Sequence, residues 1–349
     1  MTGATYAAAG VDIEAGDKAI DLMRAWVDKA RRPEVIGGIG GFAGLFDASA
    51  LKGYDRPLLA TSADGVGTKV AIAQQLDVHD TIGQDLVAML VDDLVVCGAE
   101  PLFVTDYIAT GRVVPERVAA IVAGVARACA EAGCALLGGE TAEHPGLLDP
   151  DAYDLAGATT GVVEAADLLG RTRVRAGDVV LAMRSSGLHA NGYSLVRHVL
   201  LETAGWSLER DVAELGQTLG EELLTPTRLY TRPCLELARS GDAHAMAHVT
   251  GGGLAANLSR VLPAHLGADL DRGTWTPHPV FDLVRDVGSV DQHDLERTLN
   301  MGVGMVALIA ADAVERATEL LGTHDVECWV AGSVLDRPGG AAVLTGSYA

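Results

Sequence analysis

The spacing of apolar residues along the chain predicts an alternation of helices and short strands. Apolar positions recur at helical spacing in five segments, which we interpret as helices: 18–29, 84–97, a stretch within 112–132, 194–201 and 254–262. Short apolar runs predict strands at 57–61, 134–137, 155–163, 179–183, 245–249 and 301–309, with a last short strand beyond Pro338. Several of these strands run directly into glycine-rich segments that carry acidic or hydroxylated residues.

The segment 84–97 is apolar on nearly every face, which predicts a buried helix. Asp93 falls on the same stripe as Leu86, so we expect its carboxylate to be buried. A buried carboxylate must be paired, hydrogen-bonded or bound to a metal ion, because an isolated charge costs too much. Asp93 is therefore a candidate metal ligand, and an ion pair with an arginine is the structural alternative. Asp85 and Asp92 share another face of this helix.

The length of 349 residues favours two domains, and an apolar fraction of 49% is typical of a folded protein. The formal net charge of −21 argues against nucleic acid or an anionic membrane as a partner, because the overall field repels polyanions. A small phosphorylated ligand is compatible with this charge, since a few local N–H groups and cationic side chains can hold it.

The cysteine pattern and the chain start both bear on location. The five cysteines form no Cys-x-x-Cys pair and have no histidine at zinc-ligand spacing, so we expect free thiols in a reducing cytosol. No apolar run is long enough to span a membrane, and the acidic start does not resemble a signal peptide. These features predict a cytoplasmic protein without a membrane partner. Residues 1–17 are small and polar, and we expect a mobile arm there.

The stretch Asp64-Gly65-Val66-Gly67-Thr68-Lys69 concentrates candidate chemistry directly after the strand predicted at 57–61. Its glycines allow the backbone to approach a ligand closely. Asp64 could hold a metal ion, and Lys69 could meet a phosphate as a point charge. The pattern is not a P-loop, because no lysine directly follows a glycine and precedes serine or threonine. An ordinary turn between a strand and a helix is the alternative.

Two further glycine-rich segments lie in the first half of the chain. Gly37-Gly38-Ile39-Gly40-Gly41-Phe42-Ala43-Gly44 formally matches the dinucleotide-binding fingerprint, but a helix and a proline precede it. We interpret it as a flexible lid over a nucleotide, with a plain loop as the alternative. In Gly138-Gly139-Glu140-Thr141-Ala142-Glu143, Glu140 is either a further metal carboxylate or a charge at a helix start.

In the second half, the segment 185–193 joins a predicted strand to a predicted helix. Hydroxyl groups and glycines before a helix N-terminus can bind an anion, and N-capping by serine or asparagine is the alternative. His189 in this segment is a candidate for proton handling, or an ordinary hydrogen-bonded loop histidine. The loop Thr250-Gly251-Gly252-Gly253 lies in a similar position, and its N–H groups could also face a phosphate.

These motifs occur in an order and spacing that resemble one family of enzymes. The chain resembles the phosphoribosylformylglycinamidine cyclo-ligases, also called aminoimidazole ribonucleotide synthetases, along nearly its whole length. Six segments carry the resemblance: 37–42, 64–69, 80–101, 138–143, 185–197 and 250–253. Each motif alone is weak, and the six in order make the resemblance specific.

The resemblance implies two α+β domains that use ATP. An N-terminal ATP-binding domain over 18–168 would pair its sheet with that of a second copy in a homodimer. A C-terminal α/β sandwich domain over 169–349 would bind the substrate phosphate. The implied reaction is ATP-dependent closure of formylglycinamidine ribonucleotide to 5-aminoimidazole ribonucleotide, with release of ADP and phosphate, as a step of purine biosynthesis.

The resemblance also implies roles for individual residues. Asp64, Lys69 and His189 would be catalytic. Asp64, Asp93 and Glu140 would hold Mg²⁺ on the ATP phosphates. The residues expected to contact ATP are Gly37, Gly38, Gly40, Gly41, Phe42, Gly65, Gly67, Thr68, Lys69, Gly251 and Gly252. The residues expected to contact the ribonucleotide are Ser185, Ser186, Gly187, His189, Asn191, Gly192 and Tyr193.

Some positions depart from the family pattern, namely Ser62-Ala63, Leu188, Ala190 and Asn300-Met301. None of these departures removes a charged residue or a glycine. Other enzymes share the implied fold, and thiamine-monophosphate kinase is the main enzymatic alternative. A nucleotide-binding regulatory protein without activity is the alternative of another class, and the intact set of candidate catalytic and metal residues weighs against it.

Overall fold

The computed structural model describes Tyr6 and residues 9–349 of the chain. The described residues divide into two compact units, and each has its own main sheet. The first unit comprises the residues up to Val91 together with Pro101–Val162, and the second comprises Asp92–Glu100 together with Val163–Ala349. Among the described residues, no helix combines the length and the hydropathy that a membrane crossing requires.

The first unit contains a four-stranded sheet and a short hairpin, and three of its elements continue past the unit's boundaries. Its helices are α1 (Ile13–Lys29), α2 (Val70–Leu76), α3 (Thr81–Val95) and α4 (Pro115–Ala132). Its strands are β1 (Val35–Ile36), β2 (Leu45–Phe46), β3 (Pro57–Gly65), β4 (Glu100–Thr110), β5 (Ala135–Glu143) and β6 (Tyr153–Glu164). β1 pairs with β2, and the main sheet has the order β3-β6-β4-β5, with β4 and β5 parallel.

The helices of the first unit follow from their sequence signals. Pro115 starts α4, and Gly133 ends it in a left-handed conformation with a φ of 83°. α1 begins at Ile13, where the Asp12 side chain caps it, and not at Lys18 as the apolar spacing predicts. The end of the predicted arm 1–17 is therefore helical, while residues 1–5 and 7–8 of that arm lie outside the described residues.

The second unit is built on a six-stranded sheet of order β10-β12-β7-β13-β11-β14, and β8 and β9 form a separate hairpin. Its strands are β7 (Val179–Arg184), β8 (Asp211–Val212), β9 (Gln217–Thr218), β10 (Ala243–His248), β11 (Gly267–Asp271), β12 (Val303–Ile309), β13 (Cys328–Leu335) and β14 (Ala342–Thr345). Its helices are α5 (Tyr193–Arg197), α6 (Leu219–Leu224), α7 (Thr231–Ser240), α8 (Gly253–Ser259), α9 (Pro279–Gly288), α10 (Gln292–Thr298) and α11 (Val314–Thr323).

The strand β12 shows how this sheet is buried. All seven of its residues are buried, and its side chains alternate between two apolar clusters. Val306 and Leu308 join the cluster that contains Leu254 of α8, whereas Met305 joins the cluster that contains Leu235 of α7. Helices therefore cover both faces of the sheet. With a separate sheet and helices in each unit, the structure confirms the prediction of a two-domain α+β protein.

Candidate active site

The glycine-rich segment 37–44 forms a loop that lines a large cavity in the first unit. β1 and β2 close its two ends, because Ile36 pairs with Leu45 across the hairpin. Gly40 has a φ of 103°, which residues other than glycine rarely adopt. The side chain of Phe42 is fully exposed. The cavity has a volume of 940 Å³, a size typical of small-molecule sites.

The remaining lining of this cavity combines apolar and polar groups. α1 contributes apolar side chains, and the paired strands β4 and β5 contribute Asp106, Gly139 and Glu140. β5 continues beyond Glu140, so this residue lies inside a strand, and its interpretation as a charge at a helix start is wrong. Glu140 is exposed, and its Oε1 accepts a hydrogen bond from the N–H of the next residue at 3.0 Å.

Asp106 is a functional candidate that the sequence analysis missed. It lies beside Gly139 in the parallel register of β4 and β5. A Cβ atom on residue 139 would lie 1.6 Å from Asp106 Oδ1, so the glycine provides the space that the carboxyl group occupies. Burial raises the pKa of Asp106 to about 7. The available sequence signal was one acid in the middle of a strand that is otherwise rich in apolar residues.

The stretch 64–69 places its two charged groups in different environments. β3 extends through Gly65, and Asp64 is exposed, with its Oδ1 accepting a hydrogen bond from the Gly65 N–H at 2.8 Å. In the 3₁₀ turn Gly67–Lys69, Thr68 is exposed and Lys69 is fully buried. Its Nζ lies 2.9 Å from Oδ1 of Asp85, which is fully buried as well. Lys69 is therefore not presented to a phosphate as the sequence analysis expects; it neutralises a buried carboxylate.

In the second unit, the structure reverses the expected burial of two adjacent acids. Asp92 is fully buried and accepts hydrogen bonds from the Tyr230 N–H at 3.1 Å and the Thr231 Oγ1 at 2.9 Å. Burial raises the pKa of Asp92 to about 6. The side chain of Asp93 is 43% exposed, so the prediction that it is buried is wrong. Its Oδ1 lies 3.0 Å from His248 Nδ1, so its partner is a histidine and not the arginine of the structural alternative.

His248 ends β10 and leads into the glycine loop 250–253. The Asn257 side chain holds this loop, since its Nδ2 donates to the carbonyl groups of Thr250 at 3.2 Å and Gly253 at 2.9 Å. The two central glycines of the loop are exposed, which their predicted contact with ATP requires. Within the described part of the chain, the buried Nε2 of His248 has no hydrogen-bond partner.

The predicted substrate loop 185–193 is held together by its own polar groups. The Ser185 Oγ donates to the carbonyl group of Gly187 at 2.8 Å, and the Ser186 Oγ donates to a backbone carbonyl outside the loop at 2.7 Å. Gly187 and Gly192 have φ angles of 137° and 82° and turn the backbone. Both serine hydroxyl groups therefore donate within the protein and shape the loop, and their predicted contact with the ribonucleotide stays a prediction.

The remaining candidates of this loop differ in what they can offer a ligand. His189 is buried, and its Nε2 accepts a hydrogen bond from the Ser186 N–H at 3.2 Å, so the neutral ring carries its proton on Nδ1. Asn191 has a buried Oδ1 that no described residue contacts by a hydrogen bond. The Tyr193 hydroxyl donates to the Leu223 carbonyl at 2.8 Å, which makes it a structural group.

Comparison with known proteins identifies the family of this chain. The family model of the AIR synthase related protein, N-terminal domain, matches residues 46–163, and that of the C-terminal domain matches residues 175–345. The phosphoribosylformylglycinamidine cyclo-ligase of Shouchella clausii (strain KSM-K16) is 49% identical over 334 residues, which cover 96% of each chain. The chain belongs to the phosphoribosylformylglycinamidine cyclo-ligase family. This membership confirms the resemblance found in the sequence.

Other relatives of this cyclo-ligase family member extend the match. The phosphoribosylformylglycinamidine cyclo-ligase of Desulfitobacterium hafniense (strain Y51) is 47% identical over 98% of this chain and 100% of its own. Among solved structures, thiamine-monophosphate kinase from Stenotrophomonas maltophilia K279a has a TM-score of 0.68 at 22% identity and covers 95% of this chain and 97% of its own. E. coli HypE has a TM-score of 0.67 at 18% identity, with 97% and 94% covered. At such identities the two structures show a shared fold alone.

In this cyclo-ligase family member, the carboxylates that were predicted to hold Mg²⁺ do not form a preformed metal site. Among the described residues, no group of three His, Cys, Asp or Glu side chains could hold a metal ion. Asp64 and Glu140 are nevertheless exposed, and carboxylate oxygens are ligands that Mg²⁺ accepts. The exposure of these two carboxylates is compatible with their predicted role as ligands of Mg²⁺.

Asn300 is a second group whose role the sequence analysis missed. It is buried, and its Nδ2 donates to the carbonyl groups of Gly187 at 2.9 Å and Leu188 at 3.1 Å. Its Oδ1 accepts a hydrogen bond from the Gly302 N–H at 2.8 Å. One side-chain amide thus fixes the loop 185–193 of the cyclo-ligase family member from inside. The only sequence signal was the departure from the family pattern at the adjacent Met301.

We expect the change Asn300→Leu to lower the free energy of unfolding by ~2–4 kcal/mol. It removes the Asn300 partner of the Leu188 carbonyl and of the Gly302 N–H, and it leaves the Gly187 carbonyl with its hydrogen bond from Ser185 alone. Urea denaturation followed by circular dichroism measures this loss. Asn191→Leu is the matched control, since the Oδ1 of Asn191 has no partner among the described residues. Equal losses in the two variants would show that the Asn300 hydrogen bonds do not hold the loop.

Proposed function

We propose that this protein catalyses the ATP-dependent cyclisation of formylglycinamidine ribonucleotide to 5-aminoimidazole ribonucleotide in purine biosynthesis, with release of ADP and phosphate. The observation that carries this proposal is the identity of 47–49% to relatives named phosphoribosylformylglycinamidine cyclo-ligase over nearly the whole chain. We place the reaction in the cytoplasm, where the five free cysteines would stay reduced.

The proposed chemistry turns a poor leaving group into a good one. The formyl oxygen of the substrate attacks the γ-phosphorus of ATP, and ADP leaves. The ribosyl-bearing amidine nitrogen then attacks the activated carbon, and phosphate leaves with the former formyl oxygen. Phosphoryl transfer needs mainly positioning and neutralisation of charge. Ring closure is intramolecular, so its nucleophile and electrophile are already tethered.

The nucleotide would occupy the cavity behind the loop 37–44. The cavity's size and its glycine-rich backbone support this placement, since glycines allow close approach of N–H groups to phosphates. Asp64, Asp93 and Glu140 are the proposed ligands of Mg²⁺, which would neutralise charge on the phosphates. Lys69 would act indirectly, by holding the turn after β3 through its buried pair with Asp85.

The ribonucleotide would bind at the loop 185–193. Asn191 can accept a hydrogen bond from the substrate through its Oδ1. His189 carries its proton on Nδ1 and could donate it toward the oxygen that departs during ring closure. The serine hydroxyl groups and Asn300 would keep the loop in shape for both residues. We assign these functions to the second unit and nucleotide binding to the first unit. Their bounds differ from the predicted domains 18–168 and 169–349, because Asp92–Glu100 and the residues from Val163 on belong to the second unit.

The decisive assay uses purified protein with Mg²⁺, ATP and formylglycinamidine ribonucleotide. We expect ADP and phosphate to form in step with 5-aminoimidazole ribonucleotide, and little ATP hydrolysis when the ribonucleotide is withheld. Thiamine monophosphate is the control substrate, because a kinase of the same fold would phosphorylate it. Phosphorylation of thiamine monophosphate without formation of the imidazole product would contradict the proposal and favour the kinase.

We also propose a homodimer formed through the sheet of the first unit. β3 lies at one edge of this sheet, and its Leu59 is 66% exposed. Exposed strand edges with apolar side chains favour association, and two-fold dimers are the commonest closed assembly. We expect light scattering at micromolar concentration to give twice the chain mass of 36.1 kDa. Leu59→Glu should shift the mass toward one chain, and a wild-type protein that is monomeric across this range would refute the dimer.

A further inference from the structure

The cavity behind the loop 37–44 contains a polar group that the proposed mechanism does not use. Oδ2 of Asp106 is buried, and no described residue makes a hydrogen bond to it. Asp106 is part of the cavity lining, together with apolar side chains such as Ile20, Met23 and Leu136. A buried carboxyl oxygen without a partner is costly, which points to a ligand that completes its hydrogen bonding.

The chemistry of this carboxyl group indicates what the ligand offers. Because burial raises the pKa of Asp106 to about 7, the neutral form is well populated near neutral pH. A neutral carboxyl group carries an O–H donor and a C=O acceptor side by side. The 6-amino edge of adenine presents the complementary pair, an N–H donor next to a ring-nitrogen acceptor. Apolar walls suit the faces of a flat base.

We propose that Asp106 selects the nucleobase of the bound nucleotide by pairing its carboxyl group with the 6-amino edge of adenine. Gly139 makes this possible, because any side chain at that position would displace the carboxyl group. The glycine loop would then hold the phosphates of the same nucleotide. This inference rests on the proposed function only in taking ATP as the occupant of the cavity.

The test compares two nucleotides by calorimetry in the absence of the ribonucleotide. One is ATP, and the other is purine riboside triphosphate, which lacks the 6-amino group. We expect the wild-type protein to bind ATP about tenfold more tightly, as one buried hydrogen bond allows. Asp106→Asn should retain most of this preference, because an amide also offers a donor beside an acceptor. Asp106→Leu should bind both nucleotides equally and more weakly than wild type binds ATP.

Three results would overturn the proposal: no preference in the wild-type protein, a preserved preference in Asp106→Leu, or an equal loss in Asp106→Asn and Asp106→Leu. The last result would indicate an ionised carboxylate or a structural role. Urea denaturation checks that each variant is folded, and the Asn variant keeps the test valid if the Leu variant unfolds. If the protein prefers ATP over purine riboside triphosphate but forms no 5-aminoimidazole ribonucleotide, only the proposed cyclisation is refuted. If it forms 5-aminoimidazole ribonucleotide but binds the two nucleotides equally, only the proposed role of Asp106 is refuted.

Discussion

Replacing Lys69 with alanine should lower the free energy of unfolding by ~3–5 kcal/mol, because it leaves the carboxylate of Asp85 buried without its cation. The two side chains are fully buried, with 2.9 Å between Nζ and Oδ1. Urea denaturation followed by circular dichroism measures the loss. The double variant Lys69→Met with Asp85→Leu should recover most of the stability, since it removes both charges and keeps the volume.

The matched control is Lys18→Ala, which breaks an exposed ion pair. The Lys18 Nζ lies 2.5 Å from Glu116 Oε1, and both side chains are more than half exposed. Solvent screens such pairs, so we expect the denaturation midpoint of this variant to equal that of wild type. If Lys69→Ala loses no more stability than Lys18→Ala, the buried pair of Lys69 and Asp85 does not stabilise the first unit. A raised Michaelis constant of Lys69→Ala for ATP would then support the prediction that Lys69 contacts a phosphate directly.

The largest expected effect on activity comes from Asp93→Asn, which should reduce turnover more than ~100-fold at saturating Mg²⁺ and ATP. Loss of several kcal/mol of charge stabilisation at a metal corresponds to a factor of this size. Asparagine keeps the size of the side chain and a hydrogen-bonding contact with His248, so the unfolding midpoint should change little. Steady-state formation of 5-aminoimidazole ribonucleotide measures the turnover.

Asp151→Asn serves as the control for Asp93→Asn. The Asp151 carboxylate is also exposed, and it pairs with Arg112 at 3.2 Å. Its replacement should leave turnover unchanged, because none of the proposed reaction groups depends on it. Near-normal turnover of Asp93→Asn would show that Asp93 serves only as the partner of His248, and the proposed set of metal ligands would lose this member.

The apolar pattern of the sequence predicted the helices α1, α3, α4, α5 and α8, but it missed elements such as α7, α9, α11, β4 and β13. It also did not predict the burial of individual charged groups. Helical spacing located α4, because burial of one face imposes a period on many residues at once. The segment of α3 was instead recognised as a buried helix because it is apolar on nearly every face. Helical spacing could not show which acid of α3 is buried. That outcome depends on Lys69 and on the Tyr230 N–H, and the latter lies 138 positions from Asp92.

The candidate site shows the same limit. Glycine-rich motifs located the loops 37–44, 185–193 and 250–253, since glycine is needed where the backbone turns or approaches a ligand. The partners of the side chains within these loops come from distant segments. The Ser185 hydroxyl, for example, donates to Asn300 Oδ1 at 3.2 Å, across 115 positions of sequence. Only the folded structure could show that this hydroxyl is engaged.

The interleaving of the two units along the chain affects how the protein can be dissected. The segment Asp92–Glu100 lies between two parts of the first unit, yet it belongs to the second. It supplies the acceptor for the buried Tyr230 N–H, and its Glu100 Oε2 lies 2.6 Å from Arg239 Nη2. A fragment that starts at residue 163 would lack these contacts and leave the start of α7 uncapped. An autonomous C-terminal fragment therefore needs residues 92–100 grafted onto it or supplied as a peptide.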